Sequence, residues 1–436
     1  MQPTLSKQEK RTVAILCAGN NRLKNVISRV ADRQPGSVAR HAAAMENLSG
    51  APSQLPYEAP LLPLCIDKAR GSRITCVDGN EYIDCHMGYT ESILGHNPPS
   101  VVRSVREALD RGIEAGHFFE EQTQLAELVK AMVPDLDRVA FFHTGGEAVN
   151  SAVRLAKRNT GKPVVAKFEG CYHGSHDVGL YNANMLVAGQ IPDIEDIRSI
   201  PPKPGGGFPE QYGSRFLILT FNDPASFELL EKNAADIACV VVDPAPPFIS
   251  EWPDLPRSFV SELTETTRRL GIPLIFDEVV CGFRLARGGA REAYNLCPDM
   301  SAYAKITSGL GLPLSILGGK AKFIDGCRTA GMYIDYRGKK AWLASTSSCN
   351  FVSVIASLAQ LHCLNDNYDD IMGKIDSNHA RLRSGLAEFA RKSGIPVAVN
   401  GNPRLQPALT LGQEQTDQMT FRGLMATISQ KYYRAL

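Results

Sequence analysis

The run ACVVVDPAPPFISEWPDLPRSFVSELTETTRRLGIPLIFD, residues 238–277, decides the fold. It opens on an apolar strand, Ala238 to Val242, and closes on another, Pro273 to Phe276. Between them Arg257 to Leu270 carries helical spacing. Strands with so few polar positions must be covered on both faces, and strands separated by helices build a mostly parallel sheet. Each strand runs straight into a carboxylate, Asp243 after the first and Asp277 after the second.

Working outward, the alternation continues. Arg138–Phe142 reads as a buried strand, Glu147–Arg158 as a helix with Ala148, Val149, Ala152, Val153 and Ala156 on one face, and Val164–Phe168 as a strand. Phe216–Phe221 and the helix Pro224–Asn233 follow. Upstream, Val101–Arg111 and Glu121–Met132 have helical apolar spacing. Val77-Asp-Gly-Asn80 between two short strand-like runs is a hairpin turn. Residues 196–213, with Pro204-Gly-Gly-Gly-Phe-Pro209, read as a flexible loop. Pro35-Gly36 breaks the N-terminal stretch. The expected organisation is a helical arm over 1–55, a segment with the hairpin over 56–100, a large α/β domain over 101–335, and an interface segment with a small domain over 336–436.

A chain of 436 residues that is 44% hydrophobic is long enough for two or three packed domains. Lys+Arg 47 against Asp+Glu 46 leaves a net charge of +1, which gives nucleic acid or an anionic membrane no electrostatic footing as a main partner. Small molecules or another protein fit better. The 11 cysteines contain no C-x-x-C pair, so zinc spacing is absent and reduced thiols of a cytoplasmic protein are expected. Thr12–Ala18 is too short for a secretory core, and no run approaches the roughly 20 apolar residues of a membrane helix.

Ligands of open parallel sheets collect at the carboxyl ends of the strands. Thr144-Gly145-Gly146-Glu147 follows one strand and opens a helix, where small residues and free first-turn amides suit an anion. The same pattern is also an ordinary Ser/Thr-x-x-Glu capping box, the commoner meaning of these four residues alone. Asp277 lies at the end of a very apolar strand and needs a cationic or hydrogen-bonded partner. A protonated pyridine nitrogen and Arg284 are equal candidates on spacing. Lys305, in a small apolar setting before Gly309-Leu-Gly311, is either a buried amine freed for Schiff-base chemistry or a surface lysine with its head in water. Tyr172-His173-Gly174 offers an aromatic face or simple core packing. His96, His143 and His176 read as hydrogen-bonded structural residues, with no metal site.

Taken together and in order, these segments resemble the class III aminotransferases, enzymes that depend on pyridoxal 5'-phosphate. The likeness runs from about residue 60 to 365. It covers Asp78-Gly-Asn-Glu-Tyr-Ile-Asp84, Gly95-His-Asn-Pro98, Thr144-Gly-Gly-Glu-Ala148, Phe168-Glu-Gly-Cys-Tyr-His-Gly174 and Phe221-Asn-Asp223. It continues through Val242-Asp-Pro244, Asp277-Glu-Val279, Gly282-Phe-Arg284, Pro298-Asp299 and Lys305. The nearest branch is that of glutamate-1-semialdehyde 2,1-aminomutase and the aminotransferases associated with multi-enzyme synthases. The resemblance implies fold type I, with a mostly parallel large domain and a small, abbreviated α+β C-terminal domain, the chain ending at Tyr432-Tyr-Arg-Ala-Leu436. It implies Lys305 as the Schiff-base lysine and proton carrier, and Asp277 as partner of the pyridine nitrogen. Thr144, Gly145 and Gly146 would be on the phosphate, Tyr172 and Val279 on the two ring faces, and His173, Asn222 and Asp243 around them. Thr346 matches the residue that reaches the phosphate of a neighbouring subunit, which implies a homodimer.

Gly146 stands where the family has a hydroxyl, a loss of about 1 kcal/mol of phosphate binding, and Asp243 stands where a glutamate is usual. The expected partners are an amino-acid donor and a keto or aldehyde acceptor, including a β-keto acyl chain tethered to a carrier protein. Two rivals stand beside this reading. One is an intramolecular aminomutase, although Pro35–Arg40 does not match that enzyme's substrate-carboxylate segment. The other is a catalytically impaired homologue that binds the cofactor or a partner.

Overall fold

The computed structural model describes residues 28–48, 64–114, 116–183, 210–246, 257–328, 340–343, 345–393, 397–400, 402, 404–405 and 408–411. The readings of 1–27, of the Pro204–Pro209 loop and of the last residues of the chain lie outside these. The chain divides into two compact units, whose described residues fall in Met1–Met87 with Leu94–Pro98, and in Gly88–Ile93 with Pro99–Asp417.

The first unit holds helix α1 (Pro35–Asn47) and an antiparallel sheet of β1 (Ile66–Arg70), β2 (Arg73–Cys76) and β3 (Glu81–Ile83). The Asp78-Gly79 turn joins β2 to β3 as the sequence predicts, with Thr75 opposite Glu81 and Gly79 at φ 79°. Pro35-Gly36 is the first turn of α1 rather than a break, because Pro lacks the amide that this position leaves unpaired. Asp78 accepts hydrogen bonds from the Gly36 and Ser37 amides (2.5 and 2.9 Å) and from Ser37 Oγ (2.7 Å).

The second unit is built on seven strands: β4 (Arg138–Phe142), β5 (Val164–Phe168), β6 (Phe216–Leu219), β7 (Ile237–Val242), β8 (Leu274–Glu278), β9 (Met300–Tyr303) and β10 (Ser315–Gly319). Their order is β4-β10-β9-β8-β7-β5-β6, and β10 alone runs against the others. The mostly parallel α/β sheet is therefore the one the sequence predicts, with two strands it does not reveal. β9 is four residues long, and β10 contains Gly318 and Gly319, whose missing side chains erase the strand signal. Gly319 is required by packing, since a Cβ there would lie 2.5 Å from the Asp299 carbonyl oxygen.

Helices cover both faces. These are α2 (Pro99–Arg111), α3 (Glu120–Met132), α4 (Gly145–Thr160), α5 (Ala225–Lys232), α6 (Arg257–Leu270), α7 (Phe351–Asp366) and α8 (Tyr368–Ser393). Alternation along β7 and β8 divides the core. Val241 and Ile275 pack with Val149, Val153 and Ala156 of α4, while Val240, Leu274 and Phe276 pack with Phe259 and Leu263 of α6. Each such buried side chain contributes about 1.5–3 kcal/mol, so the face each strand residue takes is fixed strongly. No helix among the described residues is long and apolar enough to cross a membrane.

Candidate active site

Every candidate residue lies in the second unit, and the carboxyl ends of β4, β5, β7, β8 and β9 share one edge of its sheet. At β4, Thr144 caps α4 in a complete capping box. Its Oγ1 accepts from the Glu147 amide (3.2 Å), and Glu147 Oε2 accepts from the amides of His143 and Thr144 (2.9 and 3.0 Å). The capping reading is therefore correct. It still leaves the Gly145 and Gly146 amides in the first turn, where no intrahelical acceptor exists. Both glycines pack closely: a Cβ on Gly145 would lie 2.5 Å from Val279 Cγ2, and one on Gly146 would press on Gly174 Cα at 3.1 Å. Gly174, at φ 108°, would itself drive a Cβ into Gly146 Cα. The loops after β4 and β5 thus meet backbone to backbone, and the Val279 side chain after β8 packs against Gly145.

The loop after β5 is folded around a residue that sequence reasoning missed. Lys167 is fully buried, and its Nζ donates to the carbonyls of Cys171 (3.0 Å), Val178 (2.9 Å) and Tyr181 (2.5 Å). The available signal was a lone lysine in the apolar strand Val164-Val-Ala-Lys-Phe168. Burial pulls its pKa down to about 8, against the charges of Cys171, Glu169 and Asp277. In this loop Tyr172 is half-buried and His173 is buried. His176 Nε2 lies 2.9 Å from the His173 carbonyl, and burial lowers its pKa to about 4.

At β8, Asp277 is buried, with Oδ2 2.6 Å from His173 Nδ1 and Oδ1 accepting from the Val279 amide (3.1 Å). Burial lowers the pKa of His173 against the opposing pull of Asp277, and no lysine or arginine among the described residues forms an ion pair with Asp277. Arg284 is not its partner. It donates to the Thr90 carbonyl instead, and burial lowers its pKa to about 10. On the next strand Asp243 accepts from the Ala245 amide (2.9 Å). Burial and then the Asp277 charge raise its pKa well above the ordinary carboxylate value. Glu278 points to the opposite side of β8 from Asp277. It accepts from the Ala290 amide (2.6 Å) and Tyr303 Oη (3.3 Å), and burial raises its pKa to about 7.

Asp277 pairs in register with Ala302 of β9, and Lys305 follows two residues after that strand ends. Lys305 is half-buried, has a left-handed backbone (φ 57°), and donates from Nζ to the Tyr89 carbonyl at 2.8 Å. It is not a lysine with its head in water. Burial lowers its pKa, Glu91 opposes the shift, and Arg284 adds to it. Asn222 and Thr346 are not gathered with the others. Asn222 is exposed at φ 60° after the edge strand β6, and Thr346 is exposed in a turn before α7.

A family model described as Aminotransferase class-III matches residues 56–404. The glutamate-1-semialdehyde 2,1-aminomutase of Persephonella marina is 34% identical over 377 residues, covering 86% of this chain and 82% of that protein. Its namesake in Aquifex aeolicus is 32% identical, covering 86% and 83%. Among solved structures, an omega-transaminase from Sphaerobacter thermophilus is similar with a TM-score of 0.76 at 29% identity, over 93% of this chain and 87% of that one.

Proposed function

The chain belongs to the class III aminotransferases, and from that premise we propose that it moves an amino group from an amino-acid donor to a keto or aldehyde acceptor, with pyridoxal phosphate as cofactor and Lys305 and Asp277 as the reacting pair. One observation carries the reading. A lysine amine and a carboxylate, neither in an ion pair with an opposite full charge among the described residues, stand at the ends of adjacent strands, with the open first turn of α4 at the same edge.

The donor set fits the cofactor. The first-turn amides of Gly145 and Gly146 suit its phosphate. Asp277 lacks a cationic partner, which a protonated pyridine nitrogen supplies. When bound, pyridoxal phosphate supplies an electron sink for negative charge developing at the substrate α-carbon. The chain does the rest. His173 fixes the orientation of the Asp277 carboxylate, and Asp277 keeps the facing ring nitrogen protonated. Val279 and Tyr172 would hold the ring from its two faces. Lys305 Nζ, its pKa lowered by burial, takes the α-proton and returns it on the other side of the transfer.

The protein with added pyridoxal phosphate is expected to show an absorbance band at about 410–430 nm that shifts with an amino donor, and Lys305→Ala should abolish it. A band that no amine moves would leave a cofactor-binding homologue without turnover. The two relatives above are named for intramolecular transfer. A single amino-keto substrate that isomerises without releasing a keto acid would place this chain with them.

We also propose a homodimer in the cytoplasm, in which the exposed Thr346 reaches the phosphate of the other subunit. The 11 cysteines without a paired spacing support the location. Light scattering and a cofactor titration of Thr346→Ala test the assembly: a monomer that retains full cofactor affinity sinks it. The acceptor class includes carrier-tethered β-keto acyl chains, and presenting the same chain free and tethered would show which is used.

A further inference from the structure

Lys167 takes no part in the chemistry above, yet a buried ammonium with three carbonyl partners is a costly feature to keep in a strand. Its three partners punctuate one loop. Cys171 precedes Tyr172 and His173, whereas Val178 lies within the four-residue helix Asp177–Leu180 and Tyr181 is its C-cap, where carbonyls lack intrahelical donors. The loop closes on itself elsewhere: the Gly170 amide donates to the Asn182 carbonyl (2.8 Å), and Asn182 Nδ2 to Glu169 Oε2 (2.6 Å). The lysine sits inside that closure as a hub.

We propose that Lys167 is a positioning residue for the reaction assigned above: its ammonium gathers the carbonyls of Cys171, Val178 and Tyr181, and so holds Tyr172 at the site and His173 on Asp277. The inference rests on the transaminase reading, because only then does the His173–Asp277 contact tune a bound ring. An ammonium has three N–H donors, one for each carbonyl, and the neutral amine has two. Deprotonation must therefore release one arm of the loop. The groups facing the amine are Glu169 and Cys171 of the loop, Asp277 of β8, and the rings of His173 and His176.

The test uses the full chain as wild type, Lys167→Met and Lys167→Arg, with pyridoxal phosphate as the probe. Lys167→Met keeps Lys305 and should still form the band. Its cofactor Kd should rise about tenfold, the effect of one charge-assisted hydrogen bond, and the pH midpoint of the band should move. Lys167→Arg should recover part of both. A Lys167→Met protein that is folded by circular dichroism and matches wild type in Kd and midpoint overturns the proposal. If that variant does not fold, hydrogen exchange on cofactor-free wild type decides. Amides between 170 and 181 should lose protection above the lysine's pKa of about 8, beyond the intrinsic rise in exchange rate. Protection unchanged up to about pH 10, the ordinary lysine range, overturns the proposal. A wild type that never forms the band defeats the transaminase reading, and the exchange experiment still judges the loop.

Discussion

Lys167 stands near the end of β5, and Lys305 stands just beyond the end of β9. Burial lowers the pKa of both. Around Lys167 three carbonyls use every N–H that an ammonium has. Around Lys305 the Tyr89 carbonyl takes a single bond among the described residues, and the backbone is held in a left-handed conformation that costs about 1–3 kcal/mol. Loss of solvation makes an amine available, but the count of fixed partners decides whether it becomes a fixture or a reagent. The sheet edge thus holds the same side chain in two states of commitment.

The comparison breaks if removing the two amines has similar effects. Lys305→Ala should lower kcat at least about a thousandfold while leaving the unfolding transition almost unchanged, whereas Lys167→Met should move folding and cofactor affinity together. Steady-state kinetics with denaturant melts on the same samples would separate the two. Asp277→Asn sharpens it next. With the carboxylate gone, His173 remains but no charge faces the site, and kcat should fall about 100- to 1000-fold with a smaller change in KM.

Glu278 offers the same contrast between neighbours on one strand. Its folded pKa of about 7 is raised above its ordinary 4.5, so the stability it contributes is complete below pH 4.5 and lost as pH rises through about 7. Above that window the buried charge costs wild type about 3 kcal/mol. Glu278→Gln, which imitates the protonated acid, should be relatively more stable at pH 8 than at pH 5 in urea melts; a difference independent of pH would refute the assignment. Smallest is Gly146→Ser. A regained hydroxyl is worth about 1 kcal/mol, but its Cβ would press on Gly174 Cα at 3.1 Å. The cofactor Kd should therefore change less than about fivefold. A large gain would mean that the loop yields freely.

Much of this was legible in the chain. The apolar runs ending at Phe142, Phe168, Val242 and Phe276 announced covered parallel strands, and the sheet rule then pointed to Thr144, Asp243 and Asp277 without a structure. The Asp277 partner was not legible. Arg284 is near in sequence, and His173 is far, yet the crossover connections bring His173 to 2.6 Å. Lys167 was overlooked because one lysine in five strand residues still reads as strand. β9 and β10 were overlooked because Ser301, Gly318 and Gly319 contribute little to an apolar pattern.

By itself the sequence determined the strands and helices other than β9 and β10, since period and burial are properties of neighbours along the chain. It also determined which strand ends carry ionisable groups, and through ordered motifs the family. Only the tertiary structure decided which of those groups share a partner, which face of β8 each carboxylate takes into its surroundings, and which lysine is tied by three carbonyls. Those outcomes depend on atoms brought within about 3 Å by residues a hundred positions apart, and no local pattern encodes that distance.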